Sequence, residues 1–293
     1  MPSISVIIPA YNYGRFVGAA IESVLEQTHP PREIIVIDNG STDNTREVIE
    51  GFGDAVRYFH QENAGVSAAR NRGARESTGE LIAFLDADDF WEPTCLEKAV
   101  AKFDQDEKIG LVHWGLREFD SETGDTLRHY VEGSEGDVAD GLLLWEEPTI
   151  AGHGAVIVTR TAFLETGGFD TATEPSEDWD FCYRLTRRYK VGFVPEPLVN
   201  YRSHSAAAHR DIRAMERGMS RFYEKAFLTN DYAVLALRNR AYGNFHRVMA
   251  GSYFHTGEYS LSLSHAIRSV VLRPGNIGYF LKFPFRRIRS QIL

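Results

Sequence analysis

Short apolar runs alternate with helical patterns at the start of this chain, and that alternation constrains its fold more than any other feature. The runs are Ile4–Pro9, Glu33–Asp38, Ala55–Phe59 and Glu80–Asp86. Between them, Arg15–Thr28 and Val66–Ser77 carry apolar or small residues at helical spacing. Strands that alternate with helices predict βαβ units and a mostly parallel sheet with helices on both faces. We therefore expect an α/β fold.

Polar residues follow three of these predicted strands. They are Pro9-Ala10-Tyr11-Asn12, Asp38-Asn39-Gly40 and Asp86-Ala87-Asp88-Asp89. Ligands of open parallel sheets bind beyond the carboxyl ends of the strands. We therefore expect the three clusters to meet along one edge of the sheet and to form the functional site.

The second half of the chain is less regular. We expect strands at Leu111–Phe119 and Gly154–Arg160, a helix at Glu177–Tyr189, and helices from Ser205 to the end. Tyr242–His255 and Tyr259–Leu272 form a predicted helical hairpin that resembles a single tetratricopeptide unit. The predicted domains are residues 1–204 and a helical C-terminal region, residues 205–293.

The charge of the chain is unevenly distributed. The net charge is −9, but residues 205–293 contain 14 Lys and Arg against 5 Asp and Glu, leaving 18 against 36 for residues 1–204. An acidic front argues against a nucleic-acid polymer as partner. Only Cys95 and Cys182 occur, and no apolar run reaches the ~18 residues of a membrane helix. We expect a cytoplasmic protein.

Three carboxylates in four residues, Asp86, Asp88 and Asp89, need electrostatic compensation. Two unit charges 4 Å apart repel by about 4 kcal/mol at an effective dielectric constant near 20. Oxygen ligands at a strand end suit Mg²⁺ or Mn²⁺ held together with substrate phosphates. Capping of a helix that begins near Pro93 is an equally good interpretation of these residues alone.

Two further clusters each have a functional and a structural interpretation. Asp38, Asn39 and an aromatic platform at Tyr11 offer partners for a nucleobase, but they also fit a capped strand–helix turn. Glu177 and Asp178 begin a predicted helix, where the dipole stabilises acids. One of the two could instead act as a general base.

Six segments together resemble a known family. They are SVIIPAYN, IIVIDNGSTDNT, NAGVSAARNRG, LIAFLDADD, TGGFD and EDWDFCYRL. In order and spacing they are similar to the family-2 inverting glycosyltransferases, which have the GT-A fold. The resemblance runs from about Ser5 to about His204.

The resemblance implies a site for a nucleotide-diphosphate sugar. It implies nucleotide contacts by Pro9, Ala10, Tyr11, Asp38, Asn39, Arg70 and the Asp86-Ala87-Asp88 motif. Asn39 departs from the family, which usually has aspartate there, so the base stays open between uracil, which we prefer, thymine and a purine.

The resemblance also implies the groups that carry the reaction. Asp88 or Asp89 is the implied ligand of Mn²⁺ or Mg²⁺, and His204 is a candidate third ligand. Asp178 of the Glu177-Asp178 pair is the implied catalytic base. The implied acceptor is a glycan or lipid-linked glycan of bacterial-type surface polysaccharide assembly.

Two other functions and one membrane contact stay open from the residues alone. A sugar nucleotidyltransferase would need a glycine-rich basic loop where this chain has PAYNYGRF. A transferase module that has lost catalysis and docks partners is the non-enzymatic alternative. The tail, residues 279–293, interleaves aromatic and basic residues and predicts contact with an anionic membrane, or a helix packed on the hairpin.

Overall fold

The structure is a computed structural model that describes residues 2–146, 150, 156–204 and 211–282. Within it the chain divides into two compact units. The first contains residues of Met1–Ala139 and Glu147–Ala207, and the second contains residues of Asp140–Glu146 and Ala208–Leu293. A short segment from the middle of the chain thus belongs with the C-terminal helices.

The first unit contains one mixed sheet. Its strands are β1 (Ile4–Ala10), β2 (Glu33–Asp38), β3 (Arg57–His60), β4 (Leu81–Phe84), β5 (Phe90–Trp91), β6 (Ile109–Asp120), β7 (Thr126–Tyr130), β8 (Ile157–Thr159) and β9 (Lys190–Ser203). They run in the order β3-β2-β1-β4-β8-β6-β9-β5, and β7 pairs with β6. Strands β1 to β4 are mutually parallel, as predicted, whereas β8 is antiparallel to both of its neighbours.

Seven helices lie between the strands of this sheet in the sequence. They are α1 (Val17–Leu25), α2 (Thr45–Glu50), α3 (Val66–Glu76), α4 (Cys95–Phe103), α5 (Ala139–Leu144), α6 (Arg160–Thr166) and α7 (Glu177–Thr186). One of them, α5, belongs from Asp140 onward to the second unit. The predicted helix at Glu177–Tyr189 is three residues shorter in the structure. The predicted strand Gly154–Arg160 is described only from Val156 onward.

Helices cover both faces of the parallel strands because those strands are apolar on both sides. Ile34 and Val36 of β2 share a core with helix α1, which contributes Ile21. Ile35 and Ile37 face the opposite side and pack with Ala69 of helix α3. This alternation confirms the predicted layer arrangement and explains why these strands show no polar face in the sequence.

Helix α3 lies unusually close to the sheet. A Cβ atom built on Gly73 would be 2.4 Å from Ile7 Cγ2 of β1, which is far inside van der Waals contact. Glycine is therefore required where α3 crosses β1, as the small residues of this segment suggested. The close approach brings Arg70, one turn earlier in α3, to the carboxyl edge of the sheet.

The second unit is helical. Its C-terminal helices are α8 (Ile212–Ala226), α9 (Tyr232–Ala236), α10 (Arg238–His255), α11 (Tyr259–Leu272) and α12 (Ile277–Leu281). Helices α10 and α11 form the predicted hairpin, with Gly257 at the turn in a left-handed conformation (φ 81°). In the described part of the chain, every helix is too short or too polar to cross a membrane.

Candidate active site

The three polar clusters meet at the carboxyl edge of the sheet, as predicted. Asn12, which has a left-handed backbone (φ 57°), accepts a hydrogen bond from Thr42 N at 2.8 Å through Oδ1. The Asn12 N–H donates to Ser41 Oγ at 2.9 Å. The loops after β1 and β2 are thereby joined, and Ser41 serves this contact instead of capping helix α2.

Asp38 ends β2 with a buried carboxylate. Its Oδ1 accepts from Ser41 N at 2.8 Å, and its Oδ2 accepts from the Tyr58 hydroxyl at 2.8 Å. His60 Nδ1 lies 3.4 Å from the same Oδ2. Burial tends to raise the pKa of Asp38, but the hydrogen bonds from Ser41 and Tyr58 outweigh it and hold the pKa below the usual value. Asp38 is therefore ionised and held in one orientation.

The Asn39 amide is bonded to the loop that precedes helix α3. Its Oδ1 accepts from Gln61 Nε2 at 2.7 Å and from Ala64 N at 3.1 Å. Its Nδ2 donates to Asn63 Oδ1 at 3.1 Å and to the Gly65 carbonyl at 3.2 Å. An aspartate side chain has no N–H to donate, so it could not make the last two hydrogen bonds. This accounts for Asn39 at a position where the family usually has aspartate. The structure places Asn39 as an organiser of this loop, and its predicted base contact stays a prediction.

The loop after β1 offers one exposed aromatic ring. Pro9 and Ala10 are buried, whereas 45% of Tyr11 is exposed. Of the three residues of this loop that the resemblance assigned to the nucleotide, only Tyr11 presents a side chain to solvent. An exposed ring at a strand end is available for stacking on a base.

Arg70 joins two acidic clusters. Its Nη2 donates to Asp86 Oδ1 at 2.8 Å, and its Nη1 donates to Glu177 Oε1 at 2.9 Å. Only 4% of Arg70 is exposed, and its guanidinium lies 5.2 Å from the centre of the Phe169 ring. Burial alone would lower the pKa of Arg70, but Asp86 and Glu177 outweigh it and raise the pKa. Both Nη atoms of Arg70 thus bind carboxylates of this chain, and its implied nucleotide contact stays a prediction.

The Arg70 bridge leaves two buried atoms without partners. Within the described residues, Arg70 Nε and Glu177 Oε2 have no hydrogen-bond partner. Such atoms are costly in a closed core, and a bound molecule commonly satisfies them in a site. The bridge therefore offers one unused donor, Arg70 Nε, and one unused acceptor, Glu177 Oε2, where the two acidic clusters meet.

The three aspartates after β4 form a turn whose members differ in burial. Asp89 N donates to the Asp86 carbonyl at 3.1 Å, and Ala87 is buried. Only 2% of Asp89 is exposed, and its Oδ1 accepts from Arg202 N at 2.8 Å. Burial and then the charge of Asp88 hold the pKa of Asp89 well above its usual range. Asp89 therefore attaches this turn to β9.

Asp88 and His204 face each other across the turn. Asp88 Oδ2 lies 2.9 Å from His204 Nε2, and the rings of Phe16 and Tyr13 lie 5.6 and 6.3 Å from the imidazole ring. Burial and then the charge of Asp86 raise the pKa of Asp88, and His204 opposes that shift. Burial and Asp88 together raise the pKa of Tyr13.

Asp88 and His204 fit an Mg²⁺ or Mn²⁺ site that is completed by a ligand. Among residues 2–146, 150, 156–204 and 211–282, no three His, Cys, Asp or Glu side chains are grouped to hold a metal ion. Mg²⁺, however, is usually held by one or two carboxylates plus substrate phosphates and water. Of the two aspartates implied as metal ligands, Asp88 is better placed than Asp89, because the Asp89 carboxylate is buried against Arg202. Asp89 as a ligand stays a prediction.

Glu177 and Asp178 begin helix α7 and differ in their surroundings. Glu177 is buried against Arg70, whereas Asp178 is half-buried, and its Oδ1 accepts from Trp179 N at 2.7 Å. Burial and then the charge of Glu177 raise the pKa of Asp178 to about 7. A carboxylate with that pKa can accept a proton near neutral pH. These are the properties that a general base needs.

Several residues that support the site were not predicted. Asn71 of α3 exchanges two hydrogen bonds with the backbone of Phe169, at 2.8 and 2.9 Å. Glu174 accepts from Ser67 N in the first turn of α3 at 2.8 Å. Arg202, two residues before His204, donates to the Asp88 carbonyl at 2.8 Å. Asn71 lies in the NAGVSAARNRG segment, whereas Glu174 and Arg202 lie outside the six segments, and nothing in the sequence showed which side chains would meet.

Comparison with known proteins identifies the family. The family model described as "Glycosyl transferase family 2" matches residues 5–165. An uncharacterized glycosyltransferase of Rickettsia felis is 32% identical over 216 residues, which are 72% of this chain and 36% of that relative. The match with this curated relative thus spans about a third of the relative's length.

Solved structures show the same fold. S. aureus TarS in complex with UDP-GlcNAc has a TM-score of 0.66 at 15% identity, and the match covers 92% of this chain and 79% of that one. The mannosyltransferase PcManGT of Pyrobaculum calidifontis, in complex with GDP-Man and Mn²⁺, has a TM-score of 0.63 at 17% identity, with 99% and 83% covered. The chain has the GT-A fold and belongs to glycosyltransferase family 2.

Proposed function

We propose that this protein transfers a sugar from a nucleotide-diphosphate sugar to an acceptor hydroxyl, with inversion at the anomeric carbon. The carrying observation is the Arg70 bridge, because one guanidinium binds both Asp86, at the nucleotide edge of the sheet, and Glu177, next to the proposed base Asp178. This supports the proposal, because one buried guanidinium holds the proposed donor-binding residue Asp86 and the direct neighbour of the proposed base.

Asp178 is the proposed general base. The acceptor oxygen attacks the anomeric carbon while the bond from that carbon to the phosphate oxygen breaks, so the nucleoside diphosphate leaves with the electron pair. Asp178 takes the proton of the acceptor hydroxyl. Its raised pKa of about 7 makes it a stronger base than an ordinary aspartate. The transition state has oxocarbenium character, as in glycoside hydrolysis.

Asp88 and His204 are the proposed protein ligands of Mn²⁺ or Mg²⁺, with Asp86 beside them. When bound, the cation would neutralise the charge that develops on the leaving diphosphate. Support comes from the donor atoms, Asp88 Oδ2 and His204 Nε2, and from PcManGT, a protein of the same fold whose structure contains Mn²⁺.

The donor and the acceptor are proposed by class. A uracil nucleotide is the first choice and a thymine nucleotide the second, with Tyr11 stacking on the base and Asp38 fixing the loop below it. TarS binds UDP-GlcNAc and PcManGT binds GDP-Man, which supports a nucleotide-sugar donor of one of these kinds. A glycan or lipid-linked glycan, reached from the cytoplasm, is the proposed acceptor.

Hydrolysis of UDP-sugars with and without Mn²⁺ tests this function, because many transferases slowly hydrolyse their donor in water. A thermal-shift screen of nucleotide diphosphates should raise the melting temperature with the correct base. A protein that binds UDP but never cleaves a UDP-sugar would support the transferase module that has lost catalysis. Formation of a nucleotide sugar from a nucleoside triphosphate would instead support a nucleotidyltransferase.

The predicted membrane contact of residues 279–293 stays a proposal. Residues 283–293 lie outside the described part of the chain. Aromatic and basic residues interleave in this tail, which supports a contact with anionic lipid. Vesicle flotation of a variant that ends at Gly278 tests this contact.

A further inference from the structure

Helix α11 exposes a continuous apolar face. Tyr259, Leu263, Ile267 and Val271 recur every four residues, and between 57% and 74% of each is exposed. Residues four apart are neighbours on a helix surface, so these four side chains form one row. We call this row the α11 face.

The opposite side of helix α11 is polar and packs on helix α10. Ser262 Oγ donates to the Ala250 carbonyl at 2.8 Å, and Ser269 Oγ donates to the Gly243 carbonyl at 2.7 Å. Between them in sequence, the buried His265 contacts Glu216 of α8, with Nε2 3.2 Å from Oε1. A surface helix of a globular protein normally buries its apolar side and exposes its polar side. Helix α11 has the reverse arrangement.

Apolar side chains are therefore exposed for a reason other than packing within the C-terminal helices. The inward serines and histidine already satisfy the backbone carbonyls and the carboxylate that α11 meets. Rotating the helix to bury the α11 face would break these contacts. An exposed apolar row of this length is typical of a binding surface.

The charge around the α11 face indicates the partner. From Tyr259 to the end of the sequence there is no Asp or Glu, whereas Arg268 and Lys282 lie within the described residues. Arg273 is paired with Glu146, and Glu258, which precedes Tyr259, is paired with Arg213. Arg268 is exposed on α11 itself. Ile277 and Leu281, which follow in α12, are also more than half exposed. Apolar side chains next to exposed cations are complementary to an anionic lipid surface.

We propose that the α11 face lies in the headgroup boundary of an anionic membrane and holds the protein there. A second copy of this chain is a poorer occupant, because two such faces would bring the exposed Arg268 of each copy into one interface. The proposal does not depend on the nucleotide-sugar site and would stand if the transferase activity were absent.

Vesicle flotation with the full chain tests the proposal. The probes are phosphatidylcholine vesicles with and without about 30% phosphatidylglycerol, an anionic lipid. We expect wild type to float with the anionic vesicles and Leu263→Glu/Ile267→Glu to lose at least tenfold of that binding. Leu263→Ser/Ile267→Ser should lose binding too, which separates lost apolar contact from added negative charge.

Leu228→Glu is the matched control, because Leu228 is 88% exposed but lies outside α11. It should float like wild type, and circular dichroism should show that all variants are folded. A variant that ends at Gly278 separates the α11 face from the tail. The proposal fails if only that truncation abolishes flotation, if wild type does not float, or if the double variants change a dimer into a monomer without affecting flotation.

Discussion

Arg70 Nη1 and Glu177 Oε1 are 2.9 Å apart, although 107 residues separate them in the sequence. The contact links helix α3, which crosses the first half-sheet, to the first turn of helix α7, which carries Asp178. The other nitrogen of the guanidinium holds Asp86. The position of the proposed base relative to the nucleotide edge thus depends on one buried arginine.

Replacing Arg70 should destabilise the first unit strongly. Arg70→Ala leaves the buried Glu177 carboxylate without its cation, and breaking a buried ion pair in this way costs about 3–5 kcal/mol. Urea unfolding followed by tryptophan fluorescence measures the effect. Arg75→Ala is the control, because Arg75 is exposed in the last turn of the same helix and should change stability by less than about 0.5 kcal/mol. Equal midpoints for the two variants would contradict the bridge.

Asp178→Asn should separate binding from turnover. The amide keeps the shape of the side chain but cannot take a proton from the acceptor, so we expect turnover to fall by about 10²–10⁴-fold. Calorimetry should show nucleotide binding within about twofold of wild type, because Asp178 is not among the proposed nucleotide contacts. Asp180→Asn, a change of the same kind at a carboxylate bonded to Arg184, is the comparison variant. Wild-type turnover in Asp178→Asn would remove Asp178 from the mechanism.

The pH profile should report the raised pKa of Asp178. The base must be ionised, so kcat/KM should rise about tenfold per pH unit below about 7 and level off above it. Glu177 contributes to raising that pKa. Glu177→Gln removes the charge while its amide oxygen can still accept from Arg70, so this limb of the profile should move to lower pH. Glu165→Gln, at an exposed acid of α6, should leave it unchanged.

The sheet and the meeting of three polar clusters were predictable because they depend on local patterns. Apolar runs of strand length separated by helical spacing fix the order of βαβ units, and parallel strands bring their carboxyl ends to one edge. The exposed strand β7, Thr126–Tyr130, was not predicted. All five of its residues are exposed, so no alternation of apolar and polar residues marks it.

The partners of the site residues were not predictable, because they depend on tertiary contacts. Arg70 meets acids from two distant segments, and Asn39 meets a loop that begins 22 residues later. Ser41 and Asp43 both precede α2, but Ser41 accepts from Asn12 N, whereas Asp43 accepts from Thr45 N at 3.0 Å at the start of the helix. Residue type indicated what each side chain can bind. Only the folded chain shows which of these groups are already bonded to other residues of the protein.

Asp88→Ala should weaken UDP binding only when Mn²⁺ is present. Asp88 and His204 would hold the proposed cation, which would neutralise the diphosphate when bound, so removing one ligand should lose about tenfold or more of the Mn²⁺-dependent affinity, as measured by calorimetry. His204→Ala should have a similar effect. His129→Ala, at an exposed histidine of β7, should bind like wild type. Unchanged affinity of Asp88→Ala in Mn²⁺ would contradict the metal role.

The close crossing of α3 over β1 gives a prediction about stability alone. In Gly73→Ala the new methyl group would overlap Ile7 Cγ2, so α3 or the Ile7 side chain must shift, and overpacking of this kind costs about 1–3 kcal/mol. Gly18→Ala in the first turn of α1 is the matched control. Its new Cβ would be 3.6 Å from Val48 Cγ1, an ordinary contact, so the gain in helix propensity should stabilise the protein by up to about 0.5–1 kcal/mol. Because α3 carries Arg70, the shift in Gly73→Ala should also reduce donor hydrolysis, whereas Gly18→Ala should retain it. Equal urea midpoints for the two variants would show that α3 has room above Ile7.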